Sequence, residues 1–166
     1  IIGDFAFDPR YQGAGSSMVN STKVDSIKDM LETSGISVTG IVRGYQRDGK
    51  EDETMKKEAV DLARRSDVVL FFFGLNEKSE TEGLDRKHLR IPQNQINLIQ
   101  ELAKANANMV GIISAGSVIE MPWHHHFKAL LHTALMGQAG AGAVLDILSG
   151  KVNPSGKLAE TYIKKY

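Results

Sequence analysis

Val68-Val69-Leu70-Phe71-Phe72-Phe73 is the stretch that most limits what this chain can fold into. It is apolar at every position, so a strand formed by it must be covered on both faces, as a central parallel strand is. Apolar runs of this kind alternate with helical patterns along the whole chain. Ile1-Ile2 reads as a first strand, followed by a loop rich in Gly and Ser from Gly3 to Asn20. Ser21 or Thr22 caps a helix carrying Val24, Ile27, Met30 and Leu31 on one face, and Gly35 closes it. Ser37 to Val42 alternates and reads as a second strand. Arg47 to Glu53 is a charged surface loop, and Thr54 to Arg65 is a helix with Met55, Ala59, Leu62 and Ala63 inward.

After the third strand, Val68 to Phe73, Pro92 opens a helix through Ala105 that buries Ile96, Leu98, Ile99 and Leu102. Met109 to Ile113 is the fourth strand and Ala129 to Leu135 a fifth. A glycine-rich turn, Gly137 to Gly142, leads into a helix from Ala143 to Leu148. Asn153-Pro154-Ser155-Gly156 is a turn, and Leu158 to Tyr162 the last strand. This β/α alternation predicts an α/β fold of flavodoxin-like shape. Its expected form is a three-layer sandwich, a mostly parallel six-stranded sheet with helices on both faces.

A chain of 166 residues, 42% hydrophobic, is enough for one domain with a real core. Twenty basic residues balance twenty acidic ones, so no global field draws nucleic acid or an anionic membrane. No cysteine is present, which excludes disulfides and thiolate metal sites. No apolar run approaches the roughly 18 residues of a membrane-spanning helix. The chain opens on Ile1-Ile2-Gly3 without an initiator methionine, so the expectation is an excised piece of a longer protein. Its compartment stays open.

The chemistry concentrates in Glu80-Thr81-Glu82-Gly83-Leu84-Asp85-Arg86. This run lies just past the end of the third strand, where open α/β sheets bind ligands. Among three carboxylates one can keep its proton while another stays ionised, the raw material of acid catalysis. A solvated acidic loop is the competing reading. Gly13-Ala14-Gly15-Ser16-Ser17 lets the backbone approach a ligand closely. It lacks the third glycine and tight turn of a dinucleotide fingerprint, and its Ser, Gln and Arg neighbours suit sugar hydroxyls better than phosphate. His124, His125 and His126 point in diverging directions as neighbours must, which argues against one shared metal ion. Trp123 is either core or a stacking platform, and His88 and His132 have no evident partner. No G-x-S-x-G elbow supports a serine triad.

Several stretches, in this order, go beyond those generic readings. They are Pro9 to Ser17; Glu80 to Arg86 followed by Leu89, Pro92 and Gln93-Asn94-Gln95; Gly116-Ser117; Glu120 to Trp123; Gly137-Gln138-Ala139-Gly140; and Val152 to Thr161. Together they resemble the second domain of glycoside hydrolase family 3, the β-glucosidase-like enzymes. The resemblance covers nearly the whole chain, residues 1–166. It implies a six-stranded α/β sandwich that follows an N-terminal barrel domain, with the active site between the two. In that arrangement the barrel carries an aspartate nucleophile and this domain supplies the general acid/base, which falls on Glu82. Glu80 is the nearest wrong choice.

The resemblance also implies that Ser16 touches the sugar, with Arg10 and Gln12 as looser substrate contacts. It implies that Asp85 and Arg86 pair to brace the loop, and that the closed cleft raises the Glu82 pKa. The expected partners are a carbohydrate substrate and the barrel; no cofactor or metal is expected. One departure is Gly116-Ser117-Val118-Ile119 where the family often has Gly-Ser-Pro-Val, which frees φ at position 118 without removing chemistry. The family's β-N-acetylglucosaminidase branch keeps its acid/base on the barrel, and the Glu82 element argues against that branch. The alternative is a stand-alone sugar- or nucleotide-binding α/β module without catalysis.

Overall fold

The computed structural model describes residues 1–166. Three parallel strands form the sheet: β1 (Val69–Gly74), β2 (Met109–Ser114) and β3 (Ala129–His132), in the order β1-β2-β3. Val69 pairs with Met109 and Gly74 with Ser114, and Val110 pairs with Ala129. Four helices accompany them: α1 (Ile27–Ser34), α2 (Glu53–Arg64), α3 (Gln93–Ala105) and α4 (Gly140–Leu148).

The sheet has three strands rather than six. The first two expected strands contribute one bridge residue each, Ile2 against Phe71 and Val42 against Ile2. A ladder needs two segments that stay extended side by side. Here Gly3 turns away at φ 131 into a single 3-10 turn, Asp4–Ala6, so the contact stops after one residue. β3 ends early because Ala134 takes a left-handed conformation, φ 50. Leu158 to Tyr162 makes no ladder. The tail is tethered by Met121 N–H to the Ile163 carbonyl at 2.9 Å and by Tyr162 to His132, and it leaves the outer edge of β3 without a paired strand.

The layering is as expected, and the three consecutive phenylalanines explain it. Successive residues of a strand face opposite ways. Phe71 and Phe73 enter one core with α2 (Ala59, Leu62, Ala63) and α3 (Leu98, Ile99, Leu102). Phe72 enters the other with α1 (Ile27) and α4 (Ala141, Val144, Leu145). Trp123 is 3% exposed and sits edge-on to Phe73 and Phe127, with ring centroids 5.0 and 5.8 Å away, so it is core and no sugar platform.

The cap of α1 is neither Ser21 nor Thr22 but Ser26. Its hydroxyl oxygen accepts the Asp29 N–H at 3.1 Å, and its O–H in turn lies 2.7 Å from the Asp29 carboxylate. The Ser-x-x-Asp spacing was the readable signal, and such a cap is worth about 1 kcal/mol. Gly35 closes the helix at φ 74, as expected.

Candidate active site at the carboxyl end of the sheet

Loops leaving the carboxyl ends of parallel strands converge on one side of the sheet. Here those loops follow Ile2, β1, β2 and β3, and they are laced together. Ala14 bridges Thr81, and Glu82 N–H donates to the Ala14 carbonyl at 3.3 Å. Gly137 N–H, from the loop after β3, donates to the Tyr11 carbonyl at 2.9 Å. The glycine-rich loop and the Glu80–Arg86 loop therefore form one surface.

Glu82 is an exposed carboxylate of that surface, and it faces the glycine-rich loop. Its Oε2 accepts the Ser16 N–H at 2.7 Å and also the Ser16 hydroxyl. Its Oε1 accepts no hydrogen bond from the chain. Gly15, φ 94, makes the approach possible: a methyl there would lie 2.6 Å from the Glu82 Cβ. The two Ser16 hydrogen bonds hold the Glu82 pKa below the ordinary glutamate value, the hydroxyl first and the N–H second. The resemblance implies a raised value in a closed cleft beside the nucleophile, a setting this domain alone does not hold. Raising it takes burial and a second carboxylate nearby, and this exposed side chain has neither.

A depressed carboxylate pKa adds stability above the unfolded value and loses it as pH falls through the folded one. Ser16→Ala should move the Glu82 titration upward toward that of a free glutamate. Carboxyl-carbon NMR titration of the 166 residues reads this directly, and an unmoved Glu82 resonance would refute it.

Ser16 is exposed at the loop, beside Glu82. Arg10 and Gln12 are both engaged with their own protein. Arg10 is buried, 1% exposed; its Nη2 donates to the Glu80 carbonyl at 3.3 Å and lies 3.9 Å from the Glu80 carboxylate. Gln12 staples its own loop: its Oε1 accepts Val19 N–H at 2.8 Å and its Nε2 donates to the Tyr11 hydroxyl at 2.7 Å. Arg86 and Asp85 form no ion pair. Arg86 Nη2 donates instead to the Val118 carbonyl at 2.6 Å, tying the loop after β1 to the loop after β2.

A charged brace beneath these loops was missed, because Arg47 read as part of a surface loop. Arg47 forks onto Glu77 at 2.7 and 3.1 Å and reaches Asp4 at 3.0 Å. Arg43 joins Asp4 and lies 2.7 Å from Asp8. Asp4 standing among Ile2, Phe5 and Ala6 was the available signal, since a carboxylate in an apolar run needs a cation. His132 has a partner after all, the Tyr162 hydroxyl at 2.8 Å, and burial lowers its pKa against the opposing pull of Glu80 and Glu160. The ring nitrogens of His124 and His125 lie against the Met121 and Pro122 carbonyls at 2.9 and 3.0 Å. No group of three or more metal-ligating side chains converges, and no helix is long and apolar enough to cross a membrane.

Residues 1–166 match the family model described as the glycosyl hydrolase family 3 C-terminal domain. The thermostable β-glucosidase B of Acetivibrio thermocellus is 43% identical over 166 residues, covering 98% of this chain and 22% of that protein. The exo-α-(1→6)-L-arabinopyranosidase of Bifidobacterium breve is 44% identical over 163 residues, covering 97% of this chain and 21% of that protein. The crystal structure of the glycoside hydrolase family 3 β-glucosidase of Bifidobacterium adolescentis superposes with a TM-score of 0.92 at 44% identity. It covers 99% of this chain and 24% of that one. The chain thus spans about a fifth of the length of these curated relatives.

Proposed function

The chain belongs to the glycosyl hydrolase family 3 C-terminal domain family, and from that premise we propose that it supplies the proton-transferring carboxylate, Glu82, of a retaining β-glycosidase of the β-glucosidase type. The proposed substrates are terminal non-reducing β-linked sugars. The nucleophile and the remaining sugar contacts are proposed to lie on an N-terminal barrel domain of the same protein. One observation carries the reading. Glu82 is an exposed carboxylate at the carboxyl end of the sheet, gripped through one oxygen by Ser16 and open at the other.

A retaining mechanism places two carboxyl groups roughly 5–5.5 Å apart. The nucleophile attacks the anomeric carbon while Glu82 gives its proton to the departing glycosidic oxygen. Water then attacks the glycosyl-enzyme, Glu82 takes that water's proton, and the nucleophile leaves. The first step needs Glu82 protonated, yet in the open domain its pKa is depressed. Closing the cleft supplies what is missing: removal of water and the charge of the nucleophile, both of which raise a carboxyl pKa. Ser16 is the proposed sugar contact and adds to this. A hydroxyl proton serves one acceptor at a time, so a sugar oxygen that takes it releases Glu82 and lifts its pKa further.

The direct test is Glu82→Gln in the intact protein, read across leaving groups. A second test needs only the 166 residues. Without a nucleophile they should leave aryl glucosides unhydrolysed, and turnover above a Glu82→Gln control would overturn the two-domain reading.

A further inference from the structure

We propose that Glu80 is a positioning residue for Glu82: it clamps the loop carrying the proton donor to the Gly116-Ser117 turn, with buried Arg10 as its counter-ion. The proposal rests on the reading of Glu82 as acid/base. Both Glu80 oxygens are occupied. Oε2 accepts the Gly116 N–H at 2.9 Å and Oε1 the Ser117 hydroxyl at 2.5 Å. The Glu80 side chain is only 12% exposed, where Glu82 is open to solvent. A carboxylate with both oxygens held by its own protein is poorly placed to hand a proton to a substrate. It is well placed to fix a backbone.

Residues 80–82 are held from both sides. Glu80 reaches across to the loop after β2, while Thr81 and Glu82 are tied to Ala14 and Ser16 of the glycine-rich loop. With Glu80 cut, the loop can pivot about the Ala14–Thr81 bridge and carry Glu82 with it. Arg10 gives the clamp its second function. A guanidinium buried to 1% exposure with its Nε unpartnered depends on a nearby anion. The Glu80 carboxylate stands 3.9 Å from Arg10 Nη2, and the Glu80 carbonyl accepts from the same nitrogen. Arg10 therefore acts on the site through Glu80 and does not contact sugar.

The test uses the intact protein and glucosides of graded leaving-group pKa. Displacing a catalytic group by about 1 Å costs roughly 100-fold, so Glu80→Gln should lower kcat by ~10- to 100-fold on poor leaving groups. KM should stay within about twofold on those substrates, and the loss in kcat/KM, which reports cleavage of the glycosidic bond alone, should shrink on dinitrophenyl substrates, whose leaving group needs no proton. Glu80→Asp keeps the charge beside Arg10 but is one methylene too short for both donors. It should regain thermal stability relative to Glu80→Gln while keeping the leaving-group dependence. Ser117→Ala should show a smaller loss of the same kind, and the Glu80→Gln/Ser117→Ala double variant should be no worse than Glu80→Gln alone. If Glu80→Gln does not fold, Ser117→Ala decides by the same leaving-group signature. Parent-like kcat on poor leaving groups, or a loss in kcat/KM equal across all leaving groups, overturns the clamp. Azide rescue of Glu80→Gln together with an unimpaired Glu82→Gln overturns instead the assignment of Glu82.

Discussion

Glu82→Gln in the intact protein should reduce kcat for alkyl glucosides by ~10²–10⁴-fold, the usual contribution of a positioned proton donor. Gln keeps the shape and can still accept from Ser16, so a folding defect is not expected at an exposed position. What is lost is the proton. Substrates whose leaving group departs without protonation, such as dinitrophenyl glucosides, should still form the glycosyl-enzyme. Their second step should then stall, because no base remains to deprotonate water. Azide needs no base, so it should restore turnover and yield the glycosyl azide with retained configuration. Kinetics with and without azide, and the anomeric configuration of the product, check this. A Glu82→Gln variant that hydrolyses poor leaving groups at the parental rate would refute the role.

Gly74→Ala should be among the most damaging conservative changes to the fold. Gly74 ends β1 at φ 145, and a methyl there would fall on the Ser114 carbonyl, 2.8 Å from its carbon and 3.0 Å from the Ser114 nitrogen. Those atoms are backbone of β2, so relief requires the two paired strands to part. Its N–H also donates to the buried Gln95 Oε1 at 3.0 Å, a bond that parting would break. Combined backbone strain, overlap and a lost buried hydrogen bond belong with the severe substitutions, about 4 kcal/mol or more. At roughly 2–4 °C per kcal/mol for a domain of this size, Tm should fall by ~10 °C. Gly142→Ala is the contrast. It lies inside α4, where the new methyl meets only Met30 Cε at 3.7 Å, and Ala is the better helix former by up to about 1 kcal/mol. Urea unfolding of the two variants should move in opposite directions, and an equal response would sink the argument. In the intact protein Gly74→Ala should also lower activity. The loops carrying Glu80 and Gly116 leave from the ends of these two strands.

Much of the layer structure was legible in advance, for a local reason. Phe71, Phe72 and Phe73 alternate faces whatever surrounds them, and Leu98, Ile99 and Leu102 share a helical face by spacing alone. Strand number was less legible. Whether Ser37 to Val42 or Leu158 to Tyr162 pairs depends on a distant segment staying extended beside it, and Gly3 and the tail do not. The cap Ser26 carries a readable Ser-x-x-Asp spacing, which Ser21 lacks.

Within the site, the acidic run after β1 and the glycine-rich loop were visible as sequence, and the family motifs singled out Glu82. The partners of those side chains were not visible. Arg10, Gln12, Asp85 and Arg86 have the chemistry of ligand contacts or of a salt pair. Three of them spend it on their own backbone neighbours, Glu80, Val19 and Val118, and Asp85 stands apart from Arg86. Glu80 and Glu82 are the same residue type two positions apart, and only the fold separates them. One is closed in by Gly116, Ser117 and Arg10; the other stands open with Ser16. The sequence by itself determined the alternation of strands and helices, the two-sided core and the place of the acidic loop after the Val69–Gly74 strand. These follow from periodicity and from which residues avoid water. The tertiary structure alone decided how many strands pair, which carboxylate is closed in and which stays exposed. Pairing, burial and pKa depend on what the rest of the chain brings within a few ångströms of each group.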